Sequence, residues 1–388
     1  MVAETGLAQK LAETGNTQDV VAITRSLSDQ FAARARQADD NDSFVAENYE
    51  DLRSAGLVEA GVPAELGGLG ADIGALAEML REIGHACGST ALAFAMHTHQ
   101  VAIPAWRWRH QNATAMEPLL RRVAAERLIL LSSGGSDWIG GSGVAEKVEG
   151  GYRISARKAF TSGAEIGDLL ITGAIATAED GTRNVIHFPV PMKAPEVRIE
   201  HTWQTLGMRG TGSNDVVVEG LFVPDSAVAF SRPAGQWHPV FQIIATVAFP
   251  LIYAAYLGVA EQARDIAIGL ARKRPSTPSL LDLAGRMDTA LRAAHLAHRL
   301  MVEVAERNAP SADSVNEVMI GRALVARNAI ETVELAMELA GGASFYRRNG
   351  LERCFRDIQA ARYHPLQSGP QAQYAGAMAL GLPVDTIY

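Results

Sequence analysis

Eighteen consecutive residues, Ile243 to Ala260 (IIATVAFPLIYAAYLGVA), carry no charge. A run of that length must leave water, either across a bilayer or in the middle of a protein. Its alanine content, the internal Pro250 and the lack of basic anchors at its ends favour the second course. The expectation is a central buried helix of a bundle, with no membrane crossing. The chain has 388 residues, 48% hydrophobic and 20% charged, enough to enclose such a helix in two or three layers.

Periodicity divides the chain into three. Over 1–128 apolar residues recur at three and four, as in FVAENYEDLRSAGLVEA and IGALAEMLREIGHA. Over 129–235 the period becomes two. VAEKVEGGYRISARKAF alternates around Gly150-Gly151, and LLITGAIAT and NVIHFPV flank the turn pair Asp180-Gly181. NDVVVEGLFVP is a further strand, ended by Pro224. Over 236–388 long helices return. SVNEVMIGRALVARNAIETVELAMELAGG is expected to open on a capping box of Ser314 with Glu317 and to close on Gly341-Gly342. The fold class is therefore α+β, mainly α, with a small sheet domain between helical layers. The order of elements is not βαβ, and GGLGADIG (Gly67 to Gly74) has neither the spacing nor the preceding strand of a dinucleotide fingerprint.

The formal charge of -8, with no basic block, disfavours nucleic acid and anionic membranes as partners. Two cysteines, Cys87 and Cys354, form no CxxC motif and cannot build a disulfide framework or a thiolate zinc site. With no apolar signal core at the start, these features lead to the expectation of a cytoplasmic protein. His97 and His99 in AMHTHQ face apart on a helix, so they are not a metal pair. Instead they are candidates for a pocket, together with Trp138 and Trp203.

Three loops in the strand block share one chemistry. LSSGGSDW (Leu131 to Trp138), KAFTSGAEIGD (Lys158 to Asp168) and WQTLGMRGTGSNDV (Trp203 to Val216) concentrate small hydroxyls and glycines. Such loops let backbone N–H groups approach a flat polar ligand or a phosphate. Near the end, RDIQAARYHPLQ places His364 before Pro365, which makes 364 an expected helix end.

Read in order, LRSAGLVEAGVPAELGGLGAD, GGSDW, GGYRISARKAF, LGMRGTGSNDVVVEGLFVPDSAV and LAGGASFYRRNGLERCFRDIQAA resemble the acyl-CoA dehydrogenase superfamily of flavoproteins across nearly the whole chain. The resemblance implies an N-terminal helical domain, a middle β-barrel or sandwich domain and a C-terminal four-helix bundle, assembled as a homotetramer. It implies FAD, with FMN as the alternative. Ser132, Ser133 and Ser136 would line the flavin, Phe160 would mark the ring motif, and Ser162 would meet the reactive ring nitrogen. Arg274 would reach a neighbouring subunit's cofactor, and Gly341 and Gly342 would lie near its phosphates.

The resemblance also implies a base. Dehydrogenases of this kind take an α-proton from an acyl thioester with a glutamate, at a position held here by Pro365 or at another near Ala248. Neither residue can act as a base. A branch of the same fold is a closer likeness: flavin-dependent monooxygenases, which use reduced flavin from a partner reductase and have a histidine at the offset of His364. That likeness implies that Ser162 hydrogen-bonds reduced flavin and that His364 acts as base, since imidazole titrates near working pH. Two alternatives stand beside it. One is an acyl-CoA dehydrogenase with an atypical base, served by an electron-transfer flavoprotein. The other is a non-catalytic paralogue.

Overall fold

In the computed structural model, residues 17–385 are described, apart from the side chains of residues 17–19 and 136. Five helices come first: α1 (Thr17–Asp40), α2 (Ala46–Ser54), α3 (Ile73–Ala86), α4 (Gly88–Gln111) and α5 (Glu117–Glu126). Eight strands follow: β1 (Leu130–Ser132), β2 (Val144–Val148), β3 (Gly151–Thr161), β4 (Leu169–Thr177), β5 (Arg183–Pro191), β6 (Val197–Glu200), β7 (Asn214–Pro224) and β8 (Phe230–Pro233). The chain then returns to helix in α6 (Val240–Ala271), α7 (Pro278–Glu306), α8 (Ala312–Ala340), α9 (Leu351–Ile358) and α10 (Ser368–Leu380).

The uncharged run lies within α6, and 94% of its most apolar window is buried inside the protein. Its small residues have a packing reason. A β-carbon on Gly258 would come 2.2 Å from the Arg81 carbonyl oxygen, and one on Gly84 would come 2.5 Å from that of Ala255. Helices α3 and α6 therefore cross backbone to backbone, which larger residues would forbid. Pro250 sits within α6, and its carbonyl accepts a hydrogen bond from His298 Nε2 at 2.8 Å. The C-terminal bundle is built from α6, α7 and α8, with α9 against α6 and α8 and α10 against α8.

The strands form one sheet in the order β6-β7-β3-β2-β4-β5-β8, with β1 parallel to β4. The turns are those the sequence marks. Gly150 at φ 75° joins antiparallel β2 and β3, and Gly181 at φ 85° lies in the β4–β5 connection. Strand β3 loses register with β7 between Lys158 and Thr161, and Phe160 within that bulge has φ 55°. A bulge re-aims side chains, and positive φ in an aromatic residue is strained.

Two helix ends differ from expectation. Helix α8 begins at Ala312, with Ser311 as its N-cap: the Ser311 side chain accepts from Ser314 N–H, and Ser314 Oγ accepts from Ser311 N–H at 2.7 Å. Ser314 is thus the third residue of the capping box, and Glu317 plays no part in it. Helix α9 stops at Ile358 and tightens into a 3-10 turn over Gln359–Arg362, so His364 stands beyond the helix.

Candidate active site

The first hydroxyl-rich loop leaves β1 after Ser132 and is held from beneath by two buried cations. Lys158 Nζ lies 2.9 Å from Asp137 Oδ2 and donates to the Gly173 carbonyl at 2.7 Å. Arg232 donates to the carbonyls of Trp138 at 2.6 Å and Ile139 at 2.7 Å. Burial pulls the Lys158 pKa down while Asp137 pulls it up; the first effect is larger. Ser133 Oγ lies 3.1 Å from Thr172 Oγ1. Ser132 is buried at the end of β1, opposite Ile171. Sequence reading did not pick out Lys158 or Arg232 as supports. A lysine and an arginine on strands carry no local sign that both will be buried under one loop.

The second loop meets the first through glycine. Gly134 N–H donates to the Ala159 carbonyl at 2.9 Å, and a β-carbon on Gly134 would lie 2.8 Å from Phe160 Cβ. The bulge turns Phe160 outward, 60% exposed, with its ring 5.7 Å from that of Trp203 in an edge-on contact. Beyond it, Ser162 Oγ lies 2.8 Å from Ser213 Oγ, which lies 2.7 Å from Thr211 Oγ1. Thr211 donates to the Met208 carbonyl at 2.9 Å, an acceptor shared with Trp203 Nε1 at 3.0 Å. The second and third loops are thus joined by a chain of buried hydroxyls.

The C-terminal segment closes the circuit. Asp357 accepts the Met208 N–H, and Gly207 packs so closely on the Arg356 carbonyl that a β-carbon there would sit 2.4 Å from it. Burial raises the Asp357 pKa to about 6, against the opposing pull of the Met208 N–H. Arg356 is tied to Asp39 of α1 and donates to the Leu206 carbonyl at 3.1 Å. Pro365 returns to the first loop, where a β-carbon on Gly135 would meet Pro365 Cγ at 2.5 Å. Beside it, His364 Nε2 lies 2.6 Å from the Tyr256 hydroxyl, and Arg322 donates to the His364 carbonyl at 2.8 Å.

Protein-family models match this chain in three parts: the acyl-CoA dehydrogenase N-terminal domain over residues 18–122, the middle domain over 132–221 and the C-terminal domain over 251–368. The chain belongs to the acyl-CoA dehydrogenase family. It is 27% identical to an L-evernosamine nitrososynthase of a Micromonospora species, over 98% of this chain and 94% of that one. It is also 27% identical to an indole-3-acetate monooxygenase of Pseudomonas putida, with 92% of each chain covered. Among solved structures it resembles KijD3 in complex with FMN and dTDP-3-amino-2,3,6-trideoxy-4-keto-3-methyl-D-glucose, with a TM-score of 0.86, 26% identity and 95% of each chain covered.

Within this family frame, neither position at which a dehydrogenase of this kind carries its base holds a carboxylate. Pro365 fills the place against Gly135, and Ala248 is buried in α6. Glu261 lies elsewhere, bound by Arg81 at 2.6 Å and by His295 at 3.0 Å. These groups line a polar cleft of about 390 Å³ between α3, α6 and α7, which contains none of the candidate residues.

His97 requires a correction. Its Nδ1 accepts from Leu130 N–H at 3.0 Å, and its Nε2 bonds the Val58 carbonyl at 2.8 Å. Both nitrogens are taken and the ring is buried, so His97 joins α4 to β1 rather than facing a pocket. His99 spends Nδ1 on the Ala95 carbonyl at 2.9 Å and acts electrostatically on His364. Trp138 packs edge-on against Trp237, Phe241 and Phe249, and its indole N–H has no hydrogen-bond partner among the described residues. Arg274 folds back on the Leu339 carbonyl, with Gly341 beside it. Arg274, Gly341 and Gly342 thus lie together at the end of α8. The Ser136 side chain lies outside the described residues.

The residues present fit a flavin ring. Gly134 and Gly135 let the loop's backbone pack directly on Phe160 and Pro365, Ser133 and Ser162 offer hydroxyls, and the exposed Phe160 offers an aromatic face. A flat heteroaromatic ring with a polar rim needs all three.

Proposed function

We propose that this flavin-dependent oxidoreductase is the oxygenase of a two-component monooxygenase, receiving reduced flavin from a separate reductase. The observation that carries this reading is that Pro365 packs on the first hydroxyl loop, with His364 beside it, at the place where a dehydrogenase would carry its glutamate. A dehydrogenase acting on an acyl thioester needs a base strong enough to take an α-proton. Burial, then Arg322 and His99, pull the His364 pKa down to about 3, which weakens it for that task. The flavin would supply two electrons, so that one atom of dioxygen enters the substrate and the other leaves as water.

FMN is the favoured cofactor. KijD3, which resembles this chain over 95% of its length, was solved with FMN. The substrate class is a small amine or aromatic, in line with nitrososynthase and indole-3-acetate monooxygenase as relatives. Ser132, Ser133 and Ser162 would hold the flavin, Trp203 and His99 would border the substrate, and the molecule would work as a homotetramer. A cytoplasmic setting agrees with two buried, unpaired cysteines.

The test supplies FMN, NADH and a flavin reductase under oxygen-18 gas, with amino-sugar nucleotides and indoles as substrates. Products heavier by one labelled oxygen atom support the reading. Anaerobic bleaching of bound oxidised flavin by an acyl-CoA would overturn it.

A further inference from the structure

His364 and Tyr256 form a pair whose proton arrangement is decided by their surroundings. Tyr256 lies on α6 and is fully buried, and its hydroxyl has one polar partner among the described residues, His364 Nε2 at 2.6 Å. If that nitrogen donated to the hydroxyl, the tyrosine's own proton would be buried unpaired, at a cost of about 1–3 kcal/mol. If the tyrosine donates, its proton and Nε2 are both satisfied, and in the neutral ring the remaining proton sits on Nδ1. His364 is half-buried, and its Nδ1 has no protein partner among the described residues.

The backbone around the ring is braced for this arrangement. Arg322, 2% exposed, donates to the His364 carbonyl at 2.8 Å, and its guanidinium lies 5.3 Å from the centre of the Tyr253 ring. Tyr253 donates to the Ala361 carbonyl at 2.8 Å and lies edge-on to the His364 ring. The brace fixes the ring's direction and places a cation beside it.

Neither proton transfer open to this pair is favoured. Burial, then Arg322 and His99, press the His364 pKa down to about 3, so the imidazolium is disfavoured although the residue keeps some exposed surface. Burial also raises the Tyr256 pKa well above 10, so the tyrosinate is disfavoured too. A ring that neither gains nor loses a proton can still orient an oxygen atom by hydrogen bonding.

We propose that Tyr256 is a positioning residue that locks His364 as the Nδ1–H tautomer, so that His364 serves as a fixed hydrogen-bond donor to an oxygen atom in the pocket and not as a base. The purpose of the donor rests on the oxygenase reading above. The tautomer itself does not, because it can be read on protein without flavin.

The experiment is solid-state nitrogen-15 NMR on full-length protein labelled at histidine, with His364 identified by its absence from the spectrum of His364→Gln. At pH 7.5 the wild-type ring is expected to show a protonated Nδ1 and an unprotonated, hydrogen-bonded Nε2. Tyr256→Phe, checked for unchanged thermal unfolding, is expected to yield a mixture of tautomers. A protonated Nε2 in the wild type overturns the proposal, and so does an unchanged single tautomer in Tyr256→Phe. Loss of oxygenation activity in every assay, with the Nδ1–H tautomer present, would defeat the oxygenase reading and leave the lock intact. As a second readout, His364→Asn places an amide donor near the position of Nδ1. Oxygen transfer within about tenfold of wild type in that variant, against a loss of about a hundredfold in His364→Ala, supports a donor. Equal losses in both support a base.

Discussion

Pro365 lies directly over Gly135: a β-carbon on that glycine would approach within 2.5 Å of Pro365 Cγ. A proline ring cannot swing aside as a flexible chain end would. Gly135→Ala must therefore displace either the first hydroxyl loop or the segment carrying His364. Overpacking of this kind costs about 1–3 kcal/mol. Because the loop is at the surface, we expect the cost to fall on ligand binding more than on folding. Reduced-FMN affinity should drop by roughly tenfold with little change in melting temperature, as followed by fluorescence titration and circular dichroism. Gly369→Ala, where a β-carbon meets nothing within 4 Å, is the control and should bind normally.

The hydroxyl chain has a direction. Thr211 gives its proton to the Met208 carbonyl, so Ser213 donates to Thr211 and Ser162 donates to Ser213. Ser162 is then left as an acceptor toward any further partner. Reduced flavin has a ring N–H that oxidised flavin lacks. Ser213→Ala frees the Ser162 hydroxyl to turn, so it should weaken reduced FMN by about tenfold and oxidised FMN less, a net hydrogen bond being worth about 0.5–1.5 kcal/mol. Parallel anaerobic and aerobic titrations measure the difference, and equal losses would refute the direction assigned to the chain.

The sequence made some of this legible and hid the rest. Alternation and turn pairs located the strands because one face of the sheet is buried and the period is two. The run from Ile243 to Ala260 announced a central helix because nothing charged can occupy that place. The three hydroxyl loops stood out by composition, and they do converge. What could not be read was long-range pairing. Nothing local joins Tyr256 to His364 or Pro365 to Gly135, and nothing in AMHTHQ shows that His97 has both nitrogens bound to backbone while His99 pairs with the Ala95 carbonyl and the Gln100 amide. Helix ends moved for a related reason. Ser311 and Ser314 compete as caps, and the geometry of the preceding turn decides between them.

Lys158 and Asp137 are a buried ion pair that shapes the first loop, with the lysine side chain 1% exposed. Removing one partner strands the other charge, which typically costs about 3–5 kcal/mol. Lys158→Met should lower the melting temperature by several degrees and loosen the loop. Lys158→Met combined with Asp137→Leu should recover much of that stability, because no lone charge remains. Flavin binding should not return in the double variant, since Asp137 also accepts from Ser142 and so ties the loop to the segment that follows it. Calorimetry and flavin titration of the single and double variants separate the two effects. Recovery of both together would mean that the pair does not shape the loop.

Four histidines are held neutral, and this makes the fold acid-sensitive. Burial is the leading cause in each case, lowering His97 and His99 to about 4 and His187 and His364 to about 3. In the unfolded chain each titrates near 6.5. Below that pH the unfolded state takes up protons that the folded state refuses, so stability falls as pH drops from 6.5 toward 4. Asp357 works the other way: its folded pKa of about 6 exceeds the unfolded value, so its contribution falls as pH rises through that range. Burial raises Glu59 and Glu306 in the same sense and lowers His298 along with the other histidines, and the imidazoles set the sign between pH 7 and pH 5. Urea unfolding should show a loss of several kcal/mol between pH 7 and pH 5, at up to about 1.4 kcal/mol per histidine per pH unit below 6.5. A free energy of unfolding that stayed level or rose over that interval would mean the histidines are charged in the folded protein.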